Sequence, residues 1–416
     1  MDEVKRIDLQ LEKCSKCGTC RAHCPVFKVL REEPYVARGK LRLARSYLKG
    51  EIGFSRRLAE VFEHCLLCKT CSAACPNGVQ VDTVVLAVRA AMVKERGLPL
   101  WKRIGLRYIL PDNRKLAGLA RMLRWGRKLG IARIFPSRLS RPEKLLPLPT
   151  PKPFRTAKRA VYSPEGTPGG RVAYFTGCMT NLFFPQVGQA VIQVLHAFGW
   201  EVIVPEQVCC GIPALSHGEV ETFLKLAHQN LKSFGQEVVD YIVTDCASCT
   251  STWRLYSQWI EGETAAACSG KVLDFSSFLI REAGEQLRNL RVPGNHRDEG
   301  LTAVAYHDPC HLRKALGVRE PPRQLIDSLP GVRYMEMQEA DSCCGAAGSY
   351  GFLHYDMARE VGRRKIAAVL AAGPEVLVTQ CPSCIMQLRH GLEEAGSVIK
   401  VKHLAELVAE VLPGVK

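Results

Sequence analysis

Four cysteines in eleven positions, followed by a proline, constrain this chain more than any other feature. The run LEKCSKCGTCRAHCPVF at residues 11–27 places Cys14, Cys17, Cys20 and Cys24 at gaps of two, two and three residues. The spacing returns in CLLCKTCSAACPNGV, with Cys65, Cys68, Cys71 and Cys75. Two-residue gaps let thiolates from one tight loop converge on the corners of a cube, and soft sulfur selects iron–sulfur clusters or zinc over hard cations. A zinc ribbon uses two cysteines per half and leaves the third and fourth without a role. In the two-cluster ferredoxin spacing, the fourth cysteine serves the other cluster. The expected 4Fe–4S sets are therefore Cys14, Cys17, Cys20 and Cys75, and Cys65, Cys68, Cys71 and Cys24.

The two runs start 51 residues apart, too far for a compact ferredoxin hairpin. Between them, GKLRLARSYLKG and SRRLAEVFEHC repeat apolar residues every three or four positions, as helices do. An α-helical ferredoxin domain over residues 1–97 follows. His23 and His64 abut ligands and either tune the clusters through hydrogen bonds or simply pack.

The length, 416 residues, allows two or three domains. No apolar run reaches membrane-spanning length; the best, VVLAVRAAMV, is broken by Arg89. The opening MDEVKRIDLQ has no signal-peptide pattern. Nineteen cysteines in such a chain suit metal ligation in a reducing cytoplasm better than a secreted disulfide scaffold. The expected location is cytoplasmic, at most peripheral at the inner face of the cell membrane.

Residues 98–165 read as a basic, partly helical linker. From Lys94 to Arg159 there are 19 Lys or Arg against three acids, while the rest of the chain balances 38 against 38. Nucleic acid is not an expected partner, because no nucleic-acid module accompanies the charge. In RKLAGLARMLRWGRKLG, Leu116, Leu119 and Leu123 share one helical face and Arg114, Arg121, Arg124 and Lys128 another, with Trp125 at the boundary. That pattern fits a helix on an anionic membrane or an acidic partner, and equally a solvated helix over the core. RPEKLLPLPTPKPF reads as a semi-rigid spacer.

The remainder repeats. Cys178, Cys209-Cys210-Gly211 and Cys246-x2-Cys249 correspond to Cys310, Cys343-Cys344-Gly345 and Cys381-x2-Cys384. A strand-like run precedes each group: RVAYFTG, EVIVPEQV and YIVTD in the first copy, TAVAYHDP, VRYMEM and EVLVTQ in the second. Helical stretches such as FPQVGQAVIQVLHAFG lie between them. Alternation of this kind predicts parallel α/β modules, over residues 166–290 and 291–416, with all five cysteines of each at the carboxyl edge of its sheet. The glycine after each cysteine pair suits a tight turn. The fold class is thus α plus α/β: a helical two-cluster ferredoxin domain followed by two repeated Cys-Cys-Gly modules. Cys268 alone stands outside the pattern and reads as a free thiol.

The doubled ferredoxin run joined to two Cys-Cys-Gly modules resembles the iron–sulfur subunits of glycolate and D-lactate oxidases and of anaerobic glycerol-3-phosphate dehydrogenase. It is similar, too, to the catalytic subunit of heterodisulfide reductase. The likeness extends through ARGKLRLARSYLKG and CCGAAGSYGFLHYDMA. It implies further 4Fe–4S clusters, of non-cubane type, on Cys178, Cys209, Cys210, Cys246 and Cys249 and on Cys310, Cys343, Cys344, Cys381 and Cys384. It also implies an FAD-containing dehydrogenase partner, since the chain lacks a dinucleotide fingerprint of its own, and a membrane quinone or anchor subunit. Two functions follow. Either the chain conducts electrons from that flavoprotein to a quinone or another acceptor, or it reduces a disulfide at the Cys-Cys-Gly clusters. His307, Asp308 and His311, around Cys310, are either proton donors or loop caps.

Overall fold

Seven helices carry the first two cysteine runs in the computed structural model, which describes residues 3–130, 145–155, 158–289 and 301–412. They are α1 (Glu3–Glu12), α2 (Thr19–His23), α3 (Pro25–Leu30), α4 (Ala37–Leu48), α5 (Arg56–Glu63), α6 (Thr70–Ala73) and α7 (Val81–Arg96). The apolar periodicity of α4 places Leu41, Ala44 and Tyr47 against Val81, Val84, Val85 and Val88 of α7. Ser55 caps α5 by accepting from the Leu58 amide at 3.1 Å, an interaction that contributes about 1 kcal/mol. Arg89, the charge that interrupts the apolar run of α7, donates to the carbonyls of Phe62, Glu63 and Cys65, and to Ser216 O in the first module. A guanidinium can serve several carbonyls at once, here adding to the bond that Phe62 O already accepts from the Cys65 amide.

The basic segment continues as α8 (Leu100–Ile104), a π-helical turn (Gly105–Ile109) and α9 (Asn113–Lys128). The apolar stripe of α9 does not lie where its sequence suggests. Leu116 and Leu123 are half-buried, but Leu119, Met122, Trp125 and Leu129 form the exposed stripe. Arg124 and Arg127 turn inward to donate to Pro149 O and Leu146 O. Carbonyls of a proline-rich segment have no sheet partner, and the two arginines supply it. Residues 131–144 of the expected linker lie outside the described residues, as does the expected 290/291 module junction. From Thr150 onward the spacer lies against the first module, with Thr150 N on Leu182 O and Phe154 N on Asn181 O, while Leu145 reaches Gly351 of the second module.

Two sheets follow. In the first, β1 (Ala160–Tyr162), β3 (Trp200–Val204), β2 (Gly170–Phe175), β4 (Tyr241–Thr244) and β5 (Val272–Asp274) lie side by side in that order. Only the β1–β3 pair is antiparallel. The second is wholly parallel in the order β7 (Val332–Met335), β6 (Thr302–Tyr306), β8 (Val376–Thr379), β9 (Lys400–His403). Leaving β1 aside, the two orders are the same. Val172 to Phe175 in β2 and Ala303 to Tyr306 in β6 are buried on both faces, the pattern of central parallel strands covered by helices. Every cysteine group lies just beyond a strand's carboxyl end: after β2, β3 and β4 in one module, after β6, β7 and β8 in the other.

The modules meet along these edges. Ala247 N donates to Gln380 O at 2.9 Å, and Gln380 binds Ser276 through both ends of its amide. His403 is wholly buried; its Nε2–H donates to Asp245 O at 2.7 Å and its Nδ1 accepts from the Ala405 amide at 3.1 Å. Burial pushes the imidazole down to about 4 from an ordinary 6.5. The folded state therefore holds His403 neutral, whereas the unfolded chain takes up a proton below 6.5. Stability is undiminished above that pH and falls as pH drops from 6.5 toward 4, by a few kcal/mol in all. Thermal melts across this window, compared with His403→Asn, should show the steeper loss in the unmodified protein; equal slopes would refute the assignment.

Candidate metal centres

The first two cysteine loops share one backbone path. Lys16 and Gly18 have φ of 60° and 87°, and Leu67 and Lys69, in the same places of the second loop, have 50° and 58°. Left-handed backbone at three non-glycine positions is strained by about 1–3 kcal/mol each and persists where surroundings impose it. Asn77 reaches Lys13 O at 2.8 Å, bringing the Cys75 turn against the Cys14 loop. Cys24 lies electrostatically within reach of Cys65, Cys68 and Cys71. Its thiol is pushed up to about 11 by burial, against the pull of Lys40.

In the first module Cys249 Sγ lies 3.6 Å from Cys210 Sγ, Cys178 contacts Cys209, and Cys246 contacts Cys249. In the second, Cys344 Sγ lies 3.4 Å from Cys384 Sγ, Cys310 contacts Cys343, and Cys381 contacts Cys384. All five thiols of each module thus converge. Gly211 and Gly345, at φ 88° and 90°, make this possible: a β-carbon at Gly345 would lie 2.3 Å from Ala358 O. Any other residue there would both strain the turn and displace the helix beneath it.

The sets also touch one another. Cys68 of the ferredoxin domain contacts Cys343 of the second module, and Cys381 of that module contacts Cys246 of the first. All nineteen cysteines are free thiols, and Cys268 stands apart in the helix Glu263–Lys271. Grouped soft donors with no disulfide among them fit iron–sulfur ligation. Deprotonation of so many thiols concentrates negative charge, and a cation accompanies each set. Arg38 faces Cys14 and Cys20, and Arg89 faces Cys65. Lys365 faces Cys343 and Cys344, and Arg155 faces Cys178, Cys209 and Cys249. Burial pushes Lys365 down to about 8. The sequence gives one hint of Lys365: it falls on the buried face of its helix, in register with Val361 and Val369. Arg155 gives none, because the spacer's docking is a tertiary fact.

Of the three polar residues near Cys310, each has a different place. Asp308 is buried in a two-pronged pair with Arg323. His311 bridges Ser248 Oγ at 2.9 Å and Leu67 O at 3.3 Å, tying both modules to the ferredoxin domain. His307 groups with Cys344 and Cys384, both its ring nitrogens buried without a hydrogen-bond partner. Phe175 stands at the matching point of the first module and packs on Trp253, so the two sites are not equivalent. His64 bonds Tyr350 OH at 2.8 Å across the domain boundary, and His23 is exposed.

These features define an iron–sulfur protein, a 4Fe–4S dicluster domain joined to two cysteine-rich modules. A 4Fe-4S dicluster domain model matches residues 10–79, and a cysteine-rich domain model matches residues 172–254 and again 304–389. The chain is 30% identical to a probable glycolate oxidase iron-sulfur subunit of Bacillus subtilis, over 96% of this chain and 94% of that one. It is 27% identical to one of the chains of a fumarate reductase (CoM/CoB) of Methanothermobacter marburgensis, over 96% and 72%. Lactate utilization protein A of an Exiguobacterium species matches 58% of this chain at 30% identity, over 97% of its own length. The chain belongs to the glycolate oxidase iron–sulfur subunit family, and its dicluster domain and two cysteine-rich modules support multiple 4Fe–4S clusters.

Proposed function

We propose that the chain conducts electrons from an FAD-containing 2-hydroxy-acid dehydrogenase of the glycolate or D-lactate type to a quinone. Iron–sulfur clusters, when bound, supply one-electron storage and transfer; the protein supplies their spacing and surroundings. One ferredoxin set is Cys14, Cys17, Cys20 and Cys75, the other Cys65, Cys68, Cys71 and Cys24. The modules use Cys178, Cys209, Cys210, Cys246 and Cys249, and Cys310, Cys343, Cys344, Cys381 and Cys384. The contacts Cys68–Cys343 and Cys246–Cys381 carry the reading, because they join three of the sets into one line. Cys17, the exposed thiol among the nineteen, marks the end open to a partner. No described helix is long and apolar enough to cross a membrane, and the basic segment is the proposed means of peripheral attachment. In the anaerobic complex with the flavoprotein, glycolate or D-lactate should bleach the iron–sulfur absorbance. Reduction of the flavin with no such bleaching would sink the proposal.

One observation favours the disulfide-reductase reading. A cleft of about 800 Å³ between the ferredoxin domain and the second module reaches Cys343; five cations against three acids line it, and while Lys314, Arg363 and Arg364 pair with Asp341, Glu360 and Glu339, Lys28 and Arg313 are in excess. Such a lining suits a disulfide bearing anionic groups, which two electrons and two protons would convert to two thiols. Thiol release from such a disulfide by the reduced protein is its test.

A further inference from the structure

We infer that the pocket walled by Cys65, His217 and His354 binds the ring of a lipid-soluble quinone. The inference rests on the conduit reading and gives it a place for the acceptor. The pocket holds about 430 Å³, room for a one- or two-ring head group and the start of its tail. Phe62, Leu66, Met92 and Leu353 supply flat apolar walls. Neutral polar groups gather on the side of the second module and the first module's Ser216–His217 turn, while Glu63, Arg89, Arg96 and Lys102 bring charge to the opposite side. His217 Nε2 bonds Ser349 Oγ at 2.8 Å, and Tyr350 and His354 stack with ring centroids 4.7 Å apart. Neither Nδ1 of His217 nor the ring nitrogens of His354 have a hydrogen-bond partner among the described residues. An apolar slot with a few convergent donors is what a quinone needs, since each carbonyl oxygen must accept a bond once out of water. Burial pushes His217 down to about 4, so its imidazole is neutral at pH 7; in the tautomer in which Nε2 accepts from the Ser349 hydroxyl, its Nδ1–H is a donor without added charge.

Position separates this pocket from others. Cys65 and Leu67 form part of its wall, so a bound ring abuts the second ferredoxin thiol set. Gly97, Leu98, Pro99 and Lys102 form its rim. The chain there runs directly into α8, where Leu100 and Trp101 are 62% and 59% exposed beside exposed Arg96 and Arg103. Exposed leucine and tryptophan interleaved with arginine suit the headgroup zone of an anionic bilayer, the phase from which a quinone would come. Reduction of the ring takes two electrons and two protons and yields the quinol. The electrons are those withdrawn when the flavoprotein oxidises the 2-hydroxy acid to the 2-oxo acid, and the protons come from water at the pocket mouth.

The test uses the anaerobic, cluster-loaded full chain, with decylubiquinone and menadione as probes in equilibrium dialysis. Binding in the micromolar range is expected, together with a shift in the electron paramagnetic resonance of the reduced ferredoxin clusters. His217→Leu, which removes a donor, and Leu353→Trp, which fills the slot, should each weaken binding by about tenfold or more. Iron content and the resonance of the unliganded protein report whether each variant has folded. No binding to the unmodified protein, or equal binding to both folded variants, overturns the inference. Bleaching by the 2-hydroxy acid without quinone binding would leave the conduit reading standing and this pocket refuted; absence of bleaching would instead refute the conduit.

Discussion

Purified without oxygen, the chain should carry about sixteen iron atoms, falling toward eight in the Cys209→Ser, Cys343→Ser double variant. Four iron atoms per set and four sets give the first number. The second follows because Cys209 and Cys343 are buried ligands of their modules, 1% and 8% exposed, and each set loses one of its thiolates. A serine hydroxyl is a harder and far less acidic donor than a thiol, so it replaces neither the softness nor the charge. The single variants should differ. Cys343 touches Cys68, so Cys343→Ser should also alter the resonance of the second ferredoxin set. Cys209→Ser, which is joined to that set only through the other module, should leave it unaltered. Eight iron atoms in both the parent and the double variant would mean that the modules hold no cluster, and the line of sets would then end at Cys68.

The grouping of the cysteines was readable because their spacing is a local property that ligation geometry constrains. Strands were readable for a related reason: RVAYFTG, YIVTD and EVLVTQ have unbroken apolar centres because central parallel strands are covered on both faces, and β2, β4 and β8 fall on them. The edge strands β5 and β9 gave no such signal, being three or four residues long and partly exposed. Arg89 was visible as a break in an apolar run, yet its four carbonyl partners come from two distant loops. The outward stripe of α9 was misplaced because periodicity fixes which residues share a face but not which face meets the core. Here Arg124 and Arg127 bind spacer carbonyls and turn Met122 and Trp125 outward. The distinction among His307, Asp308 and His311 was likewise hidden, since it depends on Arg323, Ser248 and Leu67, none of them near in sequence.

The second thiol set also has a role no spacing could show. Cys24, Cys65, Cys68 and Cys71 adjoin the second module through Cys68, the apolar pocket through Cys65, and the first ferredoxin set through the α2–α6 contact. A site with three neighbours is a junction. On the proposed reading, that junction would connect the acceptor pocket to the Cys-Cys-Gly modules. His64 and His311 fasten the junction to the second module by hydrogen bonds that involve no sulfur, so its position survives changes at the ligands.

Arg323→Ala should destabilise the second module by about 3–5 kcal/mol, a loss measurable by denaturant titration followed through iron–sulfur absorbance. Arg323 donates to both oxygens of Asp308, at 2.9 and 2.8 Å, and to both oxygens of Glu336, at 2.7 and 3.0 Å. The two carboxylates are not equal. Asp308 is 2% exposed, and without the guanidinium it becomes a buried anion that has lost its two-pronged partner and keeps only the more distant Lys365 as a counter-charge, whereas the side chain of Glu336 is 48% exposed and can turn to water. The cost therefore falls on Asp308, which stands two residues before Cys310 and whose amide donates to Ala340 O at 3.0 Å. Lys365 donates to the same carbonyl from the other side, so loss of the pair loosens the segment that presents Cys343 and Cys344. Iron should leave the second module first. Adding Asp308→Asn to Arg323→Ala removes the stranded charge and should restore much of the stability; if the single variant loses less than about 1 kcal/mol, or the second change restores nothing, Asp308 is not the buried charge that the pair exists to neutralise.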